Sequence, residues 1–156
     1  MKTLYHGSNV DFTEVLLSKC LPHKDFGKGF YLTPSRYRAR LRALDKVDKE
    51  HEGVPTIMRF DFDESALAGM MVLEFERCDQ AWLDFILSNR NRRNKAAHGY
   101  DVVIGPVADD GVITSISLYE AGVIGRQELL VRLQGVKAYV QYAFCSQRAI
   151  DLLVRK

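Results

Sequence analysis

Asp25-Phe26-Gly27-Lys28-Gly29-Phe30-Tyr31-Leu32-Thr33 is the stretch on which the fold class turns. Its lysine and glycines suggest a phosphate-binding loop, but the spacing fits neither common type. The chain has no Gly-x-Gly-x-x-Gly after a strand and no Walker-type Gly-x-x-x-x-Gly-Lys. Phe30 to Thr33 reads instead as a short strand, and Pro34 suits the start of a helix running to about Asp48. In that helix Tyr37, Leu41, Leu44 and Val47 recur at helical spacing, which predicts a core-facing stripe. Arg36, Arg38, Arg40, Arg42 and Lys46 occupy the other faces. Upstream, Thr3 to His6 predicts an opening strand closed by the turn-prone Gly7-Ser8-Asn9.

Downstream, Gly53-Val54-Pro55 breaks the helix. Thr56 to Phe62 then sets Met58, Phe60 and Phe62 against Ile57, Arg59 and Asp61, the period of a strand. Met70 to Phe75 is a further candidate strand. Asp79 is placed to cap a helix with Trp82, Phe85 and Ile86 as its stripe, and the basic run Asn89 to Lys95 ends it. Tyr100 to Ile104 predicts a buried strand stopped by Gly105-Pro106. Helical patterns follow at Asp110 to Tyr119 and Arg126 to Leu133. Ala138 to Phe144 predicts the last strand. Ser146 caps a closing helix with Ala149, Ile150, Leu152 and Leu153 as its apolar face. These elements do not alternate in βαβ order, which favours an α+β fold over a doubly wound sheet. With no repeat and no linker, residues 1–156 read as one domain.

The composition is that of an ordinary globular protein, with 47% hydrophobic and 27% charged residues. A formal net charge of +2 excludes nucleic-acid binding by overall charge, though not by a local patch. Cys20, Cys78 and Cys145 form no Cys-x-x-Cys pair, so neither a zinc ribbon nor a redox pair is expected. His51 and His98 lack ligand spacing, and no metal site is expected. The first residues lack the apolar centre of a signal peptide, and no apolar run approaches the roughly 20 residues of a membrane span. A cytoplasmic location without membrane attachment is the expectation.

Three short pieces carry the chemistry: Tyr5-His6-Gly7-Ser8, Gly27 to Thr33, and Gln141-Tyr142-Ala143-Phe144. Together and in this order they resemble the His-Tyr-Glu class of ADP-ribosyltransferases, here with His-Tyr-Gln. More closely, they resemble a bacterial family of uncharacterised domains often encoded beside small antitoxin-like proteins. Asp101-Val102-Val103-Ile104-Gly105-Pro106-Val107-Ala108-Asp109-Asp110 and the ending Gln141 to Leu153 extend that resemblance over nearly the whole chain. It implies a split β-sheet core with flanking helices and a function in moving ADP-ribose from NAD, used as substrate. The enzyme would be the toxin of a toxin–antitoxin pair, modifying a protein or nucleic acid and held by a cognate antitoxin.

The resemblance also implies residue roles. His6 would bond a ribose hydroxyl, the Gly7 backbone the nicotinamide carboxamide, and Ser8 the same ribose. Gly29 falls among the NAD-contacting positions. Tyr31 would lay its ring on the nicotinamide, since an electron-rich face favours a cationic ring. Lys28, Arg36 and Arg40 are candidate pyrophosphate partners, because guanidinium forks match phosphate oxygens. Gln141 stands where the class places a glutamate. Its amide can hydrogen-bond a ribose but cannot neutralise developing positive charge. Asp109 and Asp110 are the candidate substitute carboxylates, with Glu120 a weaker one and helix capping the alternative role for Asp110. A catalytically weak or inactive module binding NAD, ADP-ribose or nucleic acid is the second hypothesis. A nucleic-acid-acting protein using Arg90, Arg92 and Arg93 is the third.

Overall fold

A computed structural model describes residues 1–136 and 138–156. Strand β1 (Lys2–Ser8) runs antiparallel to β3 (Thr56–Phe62), from Lys2 opposite Phe62 to Ser8 opposite Thr56. A two-residue strand, β7 (Val154–Arg155), lies on the other edge of β3. The second sheet has the order β2 (Phe30–Leu32), β6 (Val140–Phe144), β5 (Val102–Pro106), β4 (Val72–Glu74). Only its β4–β5 pair is parallel. The two sheets meet at a single rung, where Tyr5 and Thr33 exchange both main-chain hydrogen bonds, at 2.8 and 2.9 Å. Beyond that rung β1 and β2 part.

Strand alternation divides the apolar residues between two cores. Leu32, Val102, Ile104, Tyr142 and Phe144 of the second sheet meet Leu4, Met58, Phe60 and Phe62 of the first. Val103 and Ala143 point the other way, to Trp82, Leu83, Ile86, Val112, Ile116, Leu129 and Leu133. Those partners lie on α2 (Gln80–Arg90), α3 (Asp110–Glu120) and α4 (Arg126–Gln134). The α+β expectation holds: among the described residues there are two sheets and five α-helices, the others being α1 (Arg36–Glu50) and α5 (Gln147–Ile150). Asp79 and Ser146 cap α2 and α5 as expected, accepting from the N–H groups of Trp82 and Ala149.

Five local expectations are corrected. Strand β1 runs on through Gly7 and Ser8, where a turn was expected, because both pair with β3. The stripe of α1 faces outward: Tyr37, Leu41 and Leu44 are 67%, 39% and 43% exposed, while Ala39 and Ala43 are 1% and 0% exposed. A Cβ on Gly7 would stand 1.9 Å from the Ala39 carbonyl oxygen. The helix backbone therefore lies directly on β1, and only small side chains fit between. Strand β5 runs through Gly105-Pro106 rather than stopping before them. Pro106 sits at the end of β5, where a missing N–H is tolerated. The cap of α3 is Asp109, not Asp110: Asp109 accepts from Val112 N at 3.0 Å. The closing helix is one turn, after which Leu152 and Leu153 lead into β7.

Candidate active site at the split between the sheets

The site begins where the β1–β2 ladder opens. In an antiparallel pair, residues two apart point their main-chain groups to the same side. Tyr5 bonds Thr33, so the N–H and C=O of Gly7 also face β2. No rung forms there, because β2 has diverged. Tyr31 would supply the next rung, but its carbonyl instead accepts the Nδ1–H of His6 at 2.6 Å. The imidazole thus replaces a main-chain bond at the mouth of the split, beside a Gly7 N–H and C=O that face β2 and meet no partner there among the described residues.

This contact fixes the tautomer. With the proton on Nδ1, Nε2 is an acceptor, and it makes no hydrogen bond among the described residues. Burial pushes the imidazole down to about 4; the Tyr31 carbonyl opposes the shift, while the charges of Lys46 and Arg42 add to it. His6 is therefore neutral at pH 7. Its ring lies 4.4 Å from Phe30 and 5.8 Å from Phe12, centroid to centroid. Phe12 is held from the far end of the chain, where the Arg155 guanidinium bonds its carbonyl and the Asp11 carboxylate. Gln147 binds the same loop, accepting from Leu17 N and donating to Val15 O.

Tyr31 leaves β2 on the side opposite Phe30. The imidazole and the phenol are therefore offered to different sides of that strand, and what joins them is ring to backbone. The phenol donates to Gly27 O at 2.6 Å and accepts from Phe26 N at 2.9 Å, fixing the loop before β2. Burial raises its pKa above that of a free phenol. Gln141 projects to the same side of the second sheet as Tyr31. It pairs with Gly105 on β5, and continuing the β2–β6 register sets it opposite Thr33. Its Nε2 is buried without a hydrogen-bond partner among the described residues. Such an orphan costs about 1–3 kcal/mol unless something outside the chain meets it.

The other candidates divide. Ser8 is buried, and its hydroxyl accepts from Val10 N at 3.4 Å, a turn contact. The missing Cβ of Gly29 serves packing, since one would stand 2.9 Å from Phe144 O. Arg36, Arg40 and Lys28 are exposed and make no ion pair among the described residues. Asp109 is engaged as a cap, Asp110 is exposed in the first turn of α3, and Glu120 ends that helix. No contact among the described residues ties any of these carboxylates to His6 or Gln141. In the basic run, Arg90 pairs with Asp25 at 3.4 Å and Asn89 donates to Asp25 O, so both brace the loop before β2. Arg92, Arg93 and Lys95 remain exposed. No helix among the described residues is long and apolar enough to cross a membrane.

Sequence reasoning gave Phe12, Gln147, Arg155, Arg42 and Lys46 no role at the site, although all bear on its surroundings. Only the i, i+4 spacing of Arg42 and Lys46 was available as a signal, and it is common on exposed helix faces.

Fold and site together define a two-sheet α+β domain whose sheets part beside a neutral, backbone-anchored histidine. The chain belongs to the family described as "Protein of unknown function (DUF3990)", whose profile matches residues 2–154. No curated protein and no solved structure matches it.

Proposed function

We propose that the split binds NAD and that the protein is an ADP-ribosyltransferase with an ADP-ribosyltransferase-like core. The observation that carries this is the open rung at Gly7. An unpaired main-chain N–H and C=O side by side match a primary carboxamide, which presents one acceptor and one donor. Neutral His6 would accept from a ribose hydroxyl at Nε2, and the Gln141 amide would donate to a ribose oxygen. In the reaction the glycosidic bond to nicotinamide breaks and the ring leaves with the bonding electron pair. The acceptor's nucleophile bonds C1′ of the ribose and loses its proton to solvent. The residues supply position and hydrogen bonds, since neither carries charge at neutral pH. Tyr31 supports this site by holding the loop before β2, a narrower role than stacking on nicotinamide. The acceptor would be a protein or nucleic acid, and the toxin role with a cognate antitoxin belongs to the same proposal.

The test is nicotinamide release from NAD by purified protein, with saturable NAD binding measured by calorimetry. Release that saturates with NAD and drops about 100-fold in His6→Ala supports the reading, the loss typical of one transition-state contact. A rate equal to buffer, with no NAD binding, overturns it. Gln141 favours a second reading, a binding module without turnover. That reading expects thermal stabilisation by NAD or ADP-ribose with no product, and turnover appearing in Gln141→Glu.

A further inference from the structure

The Arg38 guanidinium is held in place by an aromatic ring rather than by a carboxylate. Tyr139 precedes β6, and its carbonyl accepts from Val107 N at 2.7 Å. That bond carries the β5–β6 register one pair beyond Pro106 and Val140. Strand alternation therefore sends the Tyr139 and Gln141 side chains to the same side of the second sheet. Thr33 stands opposite Gln141 in the continued β2–β6 register, and Ser35, two residues on, caps α1. The first turn of α1 thus begins beside the start of β6. Arg38 lies in that turn, and its guanidinium carbon is 3.1 Å from the centre of the Tyr139 ring.

A guanidinium stacked in this way uses its flat face and leaves its N–H groups pointing outward around the edge. For Arg38 those donors are unmatched. The half-buried side chain makes no ion pair or hydrogen bond among the described residues. The first acid along α1, Asp45, instead takes Arg42 at 3.3 Å and Lys49 at 2.9 Å. On the same side of the sheet the buried Gln141 Nε2 also lacks a partner among the described residues. Two elements of the fold thus present N–H donors to one region, and no described residue supplies the acceptor. Phosphate oxygens only accept, and a guanidinium fork matches two of them at once. Side chains two residues apart on a strand are about 6.8 Å apart. A phosphate and the sugar that carries it span that separation, with the fork on the one and the amide on the other.

We infer that Arg38, oriented by Tyr139, grips a phosphate of the nucleotide ligand whose ribose meets Gln141. The inference rests on the NAD reading for the identity of the ligand, and on the stacked pair and the unmet donors for the phosphate. It replaces Lys28, Arg36 and Arg40 as the phosphate contact, since those three are exposed and no ring contact among the described residues orients them. Because the ring already fixes the fork, less side-chain entropy is lost on binding.

The test is calorimetric titration of the full chain with inorganic pyrophosphate, ADP-ribose and adenosine at low salt. The variants are Arg38→Gln, Arg38→Lys and Tyr139→Leu, with Lys49→Gln at the far end of α1 as control. Arg38→Gln should weaken pyrophosphate and ADP-ribose about tenfold, the size of one charge-assisted hydrogen bond. Arg38→Lys should lose nearly as much, because an ammonium keeps the charge but has no planar fork. Tyr139→Leu should weaken the same two ligands by less, since only the orientation of the charge is lost. Adenosine binding should stay level throughout, and the losses should shrink as salt is raised. If the stacked pair only braced the chain, adenosine would weaken in step with the other two ligands, and that result overturns the phosphate contact. Wild type that fails to bind pyrophosphate overturns it as well. ADP-ribose affinity unchanged in Arg38→Gln, with nicotinamide still released, overturns the contact and leaves the NAD reading standing. Pyrophosphate binding that both Arg38 variants weaken, with no nicotinamide release and no NAD binding, keeps the contact and sinks the NAD reading.

Discussion

The surroundings of His6 and of Gln141 are built in opposite ways. At the histidine corner every neighbour is tied down: His6 donates to Tyr31, Phe12 is clamped from β7, and α1 rests on Gly7 with no side chain between. Around Gln141 a buried amide nitrogen meets no partner among the described residues. The first is held by the protein's own contacts, whereas the second holds a buried donor that no described residue meets. A preformed corner fixes orientation at little further entropic cost. A buried donor left unmet costs stability.

The sharpest way to break the contrast is Gly7→Ala. The new Cβ would stand 1.9 Å from Ala39 O and 2.9 Å from Ala43 N, so α1 must lift off β1. Because the obstacle is backbone and cannot turn aside, a loss of upward of about 3 kcal/mol is expected by urea denaturation. A loss below roughly 1 kcal/mol, the scale of a tolerated core change, would show that the helix is not seated on β1.

Acid should weaken the same corner. Unfolded imidazole protonates near 6.5 and the folded one only near 4. As the pH falls through that window the unfolded chain takes up a proton that the folded chain refuses, so stability drops. The full window corresponds to something on the order of 3 kcal/mol, and above pH 6.5 none of it is felt. Urea midpoints of wild type and His6→Gln, compared between pH 7 and pH 4.5, read this directly. If both proteins lose the same stability, His6 does not carry the effect.

Asp101 supports the strand that carries Gln141. It is buried, and its carboxylate accepts from both Arg148 Nε and Nη2, from the Ser146 hydroxyl at 2.6 Å and from Met71 N at 2.8 Å. The Arg148 bonds, followed by Ser146 and Met71, hold that carboxyl well below the usual carboxylate range. Asp101→Asn should cost about 2 kcal/mol, since it removes charge-assisted bonds but keeps an acceptor. This contribution is complete above about pH 4 and is lost as the pH falls below it, because only the unfolded carboxylate protonates there. A variant whose acid denaturation matches that of wild type would contradict the assignment.

The smallest effect is the most diagnostic. Gln141→Leu removes the orphan and should raise the stability of the free protein by about 1 kcal/mol. The same change should weaken NAD binding. A loss of stability would mean that the amide has a partner the fold itself supplies.

The sequence was most legible where periodicity and capping act over a few residues. Thr56 to Phe62 spans β3 end to end, and Asp79 and Ser146 cap the helices they precede. It was misleading at α1, where pattern alone favours Tyr37, Leu41 and Leu44 for the core because they are large. Packing chose Ala39 and Ala43 because the distance to β1 is short. Strand β7 could not be seen, since two residues show no period, yet Arg155 on it holds Phe12 against His6. Asp109 and Asp110 looked equivalent as carboxylates until α3 used one of them as its cap.

By itself the chain determined the mixed α+β class, the order of most elements, and the presence of His6, Tyr31 and Gln141 at strand positions. Those properties follow from side-chain alternation and local hydrogen bonding, which are written residue by residue. Only the tertiary structure decided that β1 and β2 part after one rung, that an imidazole takes the next rung's place, and that α1 lies directly on Gly7. Each of these depends on how close two distant backbones come, and that distance is set by what packs between them rather than by either segment alone.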